Sequence, residues 1–186
     1  VIGAAGYAEI ITELLEEFDG PAVLIGHSFG GRVAVCLAAA RPDLVDGLVL
    51  TGTPLVRLSP RRRPPVAYRI IKQLNKWGVV GDDRLEQEKR KRGSADYRAA
   101  SGIMRDVLVT VVNESYEAEL KAISTPTALL WGKEDGEVGL DVARQALRIR
   151  ESAALPTTLE VLEGVGHHLP TQAPGDLRRV AMATLG

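Results

Sequence analysis

Three stretches follow one another without a gap: the apolar run Ala22-Val23-Leu24-Ile25, the turn Gly26-His27-Ser28-Phe29-Gly30-Gly31, and an Ala- and Val-rich segment ending at Ala40. Four apolar residues between Pro21 and Gly26 predict a short strand buried on both faces, as in a parallel sheet. Ser28 to Ala40, closed by Arg41-Pro42, predicts a helix. A serine squeezed into so sharp a strand-to-helix junction is held in a strained backbone conformation that lifts its hydroxyl clear of the sheet. Gly26 and Gly30 are expected beside it because a Cβ at either position would collide with neighbouring chain. The helix adds the positive end of its dipole, and the Phe29 amide is expected to donate to a developing oxyanion.

The same rhythm continues. Gly47 to Thr51 predicts a second buried strand, so strand, helix and strand form a right-handed parallel crossover. Upstream, Tyr7, Ile10, Ile11, Leu14, Leu15 and Phe18 recur at helical spacing opposite Glu9, Glu13, Glu16 and Glu17, which predicts an amphipathic helix. From Pro54 to Thr125 basic residues outnumber acidic ones and Arg61-Arg62-Arg63-Pro64-Pro65 interrupts the chain. Short helical patterns there predict helices over Val66 to Trp77, Leu85 to Arg92 and Tyr97 to Glu119. The strand-helix pattern then resumes with strands at Thr127 to Trp131 and Thr158 to Leu162 and helices at Leu140 to Glu151 and Pro174 to Leu185. The expected organisation is an α/β core over 1–53 and 126–186, with a parallel sheet and flanking helices, and a helical lid inserted at 54–125.

Composition narrows the function. A formal net charge of −1 over 186 residues gives no whole-chain attraction to nucleic acid or an anionic membrane. Lys89 to Arg92 and Arg61 to Arg63 are interleaved with Asp82, Asp83, Glu86 and Glu88, the pattern of a solvated lid face. A single cysteine, Cys36, allows no intramolecular disulfide and too few thiol ligands for a metal. Cys36 reads as a small buried hydrophobe. No apolar run is long enough to span a bilayer and no secretory leader is visible, so a cytoplasmic chain is expected. No metal, cofactor, nucleic acid or membrane partner is expected, only a small-molecule substrate.

A serine hydroxyl needs a base to act as nucleophile, and imidazole suits that task near neutral pH. Of the three histidines, His27 adjoins Ser28 and should project away from it, to pack or hydrogen-bond beneath the turn. That leaves His167 and His168 in Gly164-Val165-Gly166-His167-His168-Leu169-Pro170, a loop following the last strand, where parallel sheets collect functional side chains. A carboxylate must orient the base. Trp131-Gly132-Lys133-Glu134-Asp135 offers Asp135, with Glu134 in reserve and Glu137 close by. Serine, acid and histidine then follow different parallel strands in the chain order Ser, Asp, His.

With GHSFGG, WGKED and GVGHHLP in that order, the chain resembles the α/β-hydrolase superfamily, in its lidded esterase, haloperoxidase-like and C–C-bond hydrolase branches. The resemblance covers the chain outside the lid. It implies that His167, directly after Gly166, is the catalytic histidine and that an ester or related small carbonyl compound is hydrolysed through an acyl-enzyme at Ser28. C–C bond hydrolysis, perhydrolysis on the same triad, or a ligand-binding relative without turnover are the alternatives it implies. The chain departs from the pattern twice. It reads as the C-terminal two-thirds of such a protein, lacking the N-terminal strands and the His-Gly loop that supplies a second oxyanion amide, which leaves a sheet of about four strands with an exposed apolar edge. Gly139 stands where relatives commonly have Pro, which should leave the acid turn less restrained.

Overall fold

In the computed structural model the described residues are 2–58, 66–81, 83–84, 101–102, 107, 110–111 and 114–185, without the side chains of 66–69. The chain divides into two compact units, 59–112 with residue 1, and 2–58 with 113–186. The larger is a parallel sheet of four strands in the order β1-β2-β3-β4. They are β1 (Ala22–His27), β2 (Val45–Thr51), β3 (Thr127–Gly132) and β4 (Thr157–Leu162). Helices α1 (Ala4–Leu15) and α2 (Phe29–Ala40) lie against each other, and α2 also packs on β1 and β2.

In the smaller unit α3 (Val66–Lys76) is described. It closes on Gly78 at φ +73°, with Gly78 N–H on Asn75 O at 2.9 Å and Val79 N–H on Leu74 O at 2.9 Å. Those two bonds are a Schellman stop, which satisfies the last free carbonyls of the helix. Back in the larger unit come α4 (Glu117–Ala122), α5 (Leu140–Ser152), the single turn α6 (Leu169–Gln172) and α7 (Pro174–Thr184).

Side chains alternate across a strand, so β2 and β3 each feed two cores. Leu48, Leu50 and Leu129 join Val35, Leu37 and Ala38 of α2, Ala4 and Ala8 of α1, and Leu120, Ala146 and Ile149. Val49, Ala128 and Leu130 face the other way, onto Leu169, Ala173 and Val180. Helices therefore cover both faces of the sheet, the arrangement that βαβ connections impose.

Two expectations change. β1 pairs with β2 on one side only among the described residues, and Ile25 is 50% exposed. The apolar run taken alone implied burial on both faces, whereas the expected sheet of about four strands with an exposed apolar edge describes what is seen. The helix expected to run from Tyr97 to Glu119 is broken, because 114–116 are not helical and α4 begins at Glu117. Tyr116 leaves the helical path to donate its N–H to Leu55 O at 2.9 Å, and its buried ring joins the main core. The helix expected over Leu85 to Arg92 lies outside the described residues.

The return of the chain at 120–125 is clamped by Arg150 near the end of α5, whose side chain is fully buried. Its guanidinium donates to Leu120 O at 3.1 Å, Ile123 O at 3.0 Å, Thr125 O at 3.0 Å, Pro156 O at 3.3 Å and Thr157 Oγ1 at 2.7 Å. Burial pushes it down to about 10, still far enough above neutrality for it to remain charged. Five acceptors in place of a counter-ion satisfy the planar donor fork.

Candidate active site

The turn after β1 is strained where the sequence says it should be. Ser28 sits at φ 49° and ψ −115°, a left-handed φ that a non-glycine residue adopts only when its surroundings dictate it. Those surroundings converge on one oxygen. Thr51 O, at the end of β2, accepts Ser28 N–H at 3.0 Å, Thr53 Oγ1 at 3.1 Å and His27 Nδ1 at 3.2 Å.

The glycines divide differently from the expectation. A Cβ on Gly26 would lie 2.5 Å from Gly31 Cα, and one on Gly31 would lie 1.9 Å from Thr53 Oγ1. At Gly30 it would meet nothing within 4 Å, because this position is on the exposed side of the first turn of α2. Gly26 and Gly31 are therefore the pair the packing demands. Phe29 is the first residue of α2, and its ring meets Tyr7 edge-on at 5.3 Å.

Asp135 lies in the turn after β3. Its Oδ1 accepts Glu137 N–H at 2.9 Å and Val138 N–H at 2.8 Å, and the buried Trp131 donates Nε1–H to Val138 O at 2.8 Å. These bonds restrain the turn although Gly139 stands where the family resemblance leads one to expect proline. Gly139 itself holds φ −60° as the residue before α5, a value that proline also adopts.

The loop after β4 lies directly over this turn. Glu134 N–H reaches Val165 O at 3.0 Å and Lys133 N–H reaches Leu162 O at 2.9 Å. A Cβ on Gly132 would stand 2.3 Å from Val165 O and 2.6 Å from Gly166 O, so only glycine lets the two loops touch. Gly164 takes φ +72°, and Gly166 N–H is held by Gln172 Oε1 at 2.8 Å.

Asp135 and His167 are brought together. Nδ1 of His167 lies 3.0 Å from Asp135 Oδ2 and 3.1 Å from Oδ1, with side-chain exposures of 7% and 2%. An ionised carboxylate only accepts, so Nδ1 carries the hydrogen and Nε2 is left with its lone pair. His168 is exposed and begins α6, its carbonyl accepting Thr171 N–H and Gln172 N–H, each at 3.1 Å. Glu134 is exposed too.

The serine turn is adjacent to this pair. The rings of His27 and His167 are 4.9 Å apart, and Gly52, at φ +53°, fills the gap so closely that a Cβ would be 3.0 Å from both His167 Nδ1 and His27 Cε1. Ser28 Oγ makes no hydrogen bond to His167 among the described residues. His27 was expected to pack beneath the turn; it does bond to Thr51 O, but it also faces the second imidazole. Gly52, Gly132 and the Thr51 carbonyl escape a sequence reading, since only three-dimensional crowding marks them.

Burial first, and then the neighbouring His167, hold the His27 imidazole below its ordinary value of 6.5. Below about pH 6.5 the unfolded chain binds a proton there that the folded chain resists, so this contribution to stability is complete above that pH and is lost as pH falls toward the folded value. His27→Asn is expected to flatten the decline of the urea midpoint between about pH 7 and about pH 5. An unaltered decline would remove His27 as its source.

Burial and the carboxylates of Glu119 and Glu114 push the Cys36 thiol up to about 11, which keeps it protonated and unreactive. Among the described residues no three His, Cys, Asp or Glu side chains gather as metal ligands, and no helix is long and apolar enough to cross a membrane.

Comparison with known proteins adds the following. The model of the alpha/beta hydrolase family matches residues 3–180. The lipase LipV of Mycobacterium tuberculosis is 61% identical over 84 residues, covering 38% of this chain and 32% of the relative. The 2-hydroxy-6-oxononadienedioate/2-hydroxy-6-oxononatrienedioate hydrolase of Cupriavidus pinatubonensis is 27% identical over 201 residues, covering 95% of this chain. The match spans 66% of that relative's own length. Among solved structures, a serine hydrolase involved in carbazole degradation, CarC, aligns with a TM-score of 0.67 at 17% identity, over 98% of this chain and 70% of its own. At that identity the likeness shows the fold.

Proposed function

This chain belongs to the alpha/beta hydrolase family, and from that premise we propose that it carries the nucleophile, acid and base of a serine hydrolase acting on an ester or a related small carbonyl compound. The observation that carries the reading is the buried bond from His167 Nδ1 to Asp135 at 3.0 Å, formed beside a serine held at φ 49°. Ser28 Oγ attacks the carbonyl carbon while its proton passes to Nε2 of His167. The imidazolium so formed is stabilised by Asp135 and returns the proton to the leaving group. Water then repeats the sequence on the acyl-enzyme and regenerates Ser28. In the tetrahedral intermediates the oxyanion is held by the Phe29 N–H at the start of α2, a position favoured by the helix dipole. The bond from Ser28 Oγ to Nε2 closes in the substrate complex, as such bonds tighten from the free enzyme. Residues 54–125 serve as the lid that selects the substrate, and the chain works as a soluble cytoplasmic enzyme.

Hydrolysis of a C–C bond by the same residues is a second reading, favoured by the alignment with the oxononadienedioate hydrolase over 95% of this chain. A fluorophosphonate probe followed by peptide mass spectrometry tests the shared chemistry. Wild type is expected to label at Ser28, Ser28→Ala not at all, and His167→Ala roughly a millionfold more slowly. An unlabelled wild type, or labelling that ignores His167, would sink the proposal. Turnover of p-nitrophenyl esters against a vinylogous diketone then separates the two readings.

A further inference from the structure

Two helices present large apolar side chains to solvent, and charge tells them apart. On α1 the exposed Ile10, Ile11 and Leu14, and Phe18 just beyond, stand among Glu9, Glu13, Glu16 and Glu17. On α3 Ile70 is 53% exposed, and past its end Trp77 is 67% and Val79 69% exposed. From Arg57 to Gly81 there is no aspartate or glutamate, against seven arginines and lysines. We propose that α3 and the turn after it form a peripheral docking surface for an anionic lipid bilayer. Ile70, Trp77 and Val79 enter the boundary between headgroups and acyl chains, and Lys72 and Lys76 hold the lipid phosphates.

Residues 70, 74 and 77 are spaced four and three apart, so they share one side of the helical path, while 72 and 76 fall on the other. Lys72 and Lys76 are exposed and Leu74 is half-buried. A helix lying in the plane of a bilayer needs this division, with apolar side chains sunk into the boundary and lysines reaching back to the charges along their flexible stems. Tryptophan suits that depth, since its ring is apolar and its N–H finds a polar partner there. The end of the helix is built before any lipid arrives. Besides the Schellman bonds, Trp77 N–H donates to Gln73 O at 3.1 Å and Asn75 Nδ2 donates to Val80 O at 2.9 Å. Trp77 and Val79 are thus presented on one closed turn, which lowers the cost of ordering them on binding.

Exposed Ile70, Trp77 and Val79 favour a bilayer over a nucleic acid, which would need the positive charge but not the aliphatic side chains. The expectation of no membrane partner rested on a whole-chain charge of −1, which averages this basic segment with acid-rich ones. The acidic α1 would be repelled by the same lipid surface. One short helix gives a reversible contact, whose strength grows with its apolar area and its attraction to anionic lipid.

The chain carries two tryptophans and Trp131 is fully buried, so a change in indole emission reports Trp77. The test is flotation and tryptophan emission of the full chain with vesicles of phosphatidylglycerol and phosphatidylcholine in equal parts, and with phosphatidylcholine alone. Wild type is expected to float with the mixed vesicles and to shift its emission to shorter wavelength, more weakly in molar salt. At about fivefold in partition for each basic residue at a charged surface, the double change Lys72→Gln with Lys76→Gln should bind about twentyfold more weakly. Trp77→Ala should lose about tenfold. The exposed changes Lys121→Gln and Phe18→Ala are expected to leave partition alone. Ser28→Ala should float like wild type, which separates this inference from the hydrolase reading. A wild type that stays in the aqueous phase overturns it, as does equal flotation on phosphatidylcholine alone. Flotation that Phe18→Ala abolishes and Trp77→Ala spares also overturns it, as does binding of an RNA oligonucleotide in place of vesicles.

Discussion

Alanine at position 132 is expected to lower serine labelling and ester turnover by about a hundredfold or more. Its methyl would meet Val165 O at 2.3 Å and Gly166 O at 2.6 Å, both backbone atoms, so no side-chain rotation relieves the clash. One loop carries Asp135 and the other His167, and the cheapest relief is to separate them. A misplacement of about 1 Å at a reacting group costs roughly a hundredfold in rate. Overpacking adds about 1–3 kcal/mol of destabilisation. Gly136→Ala is the matched control, since a Cβ there would touch nothing within 4 Å. Comparing labelling rates and melts of the two variants decides the matter, and a Gly132→Ala protein that reacts like wild type would show the loops to be independent.

Arg150→Met is expected to be the more damaging change to stability, by about 3–5 kcal/mol. Four carbonyls and the Thr157 hydroxyl lose their common donor; Thr125 O and Pro156 O keep the Thr127 hydroxyl and N–H, while Leu120 O and Ile123 O lose a buried donor at about 1–3 kcal/mol each, offset in part because a buried charge is removed. At about 2–4 °C per kcal/mol for a domain of this size, the melting temperature should fall by about 6–20 °C. Arg150→Lys should recover only part of it, since an ammonium has three donors and no planar fork. Urea and thermal melts of the three proteins check this. A loss under about 1 kcal/mol for Met would mean that water replaces the guanidinium.

The sheet and its order of strands, helices and turns were readable because periodicity reports burial directly. Val45–Thr51 and Thr127–Gly132 are apolar throughout their centres and are buried there on both faces. Ala22–His27 has the same look but an edge position, which the four apolar letters do not tell and only the family resemblance implied. The bonded pair Asp135 and His167 and the strained serine turn were picked out because the sequence argument looked for an acid, a base and a hydroxyl at strand ends. Gly30 was mistaken for a crowded glycine where Gly31 is the crowded one, because a one-residue difference at a helix start decides which side faces the strand. Arg150 left no trace, as one basic residue among several in Ala143-Arg144-Gln145-Ala146-Leu147-Arg148-Ile149-Arg150 shows its burial only once the chain has folded back.

The oxygen of Thr51 serves three donors, the serine amide, the His27 ring and the Thr53 hydroxyl. A rotation of the peptide plane between residues 51 and 52 would cut all three together, and Gly52 leaves no room for the two imidazoles to drift as compensation. Ser28 and His27 therefore share one hinge pin, so that the loss of this single acceptor loosens both at once.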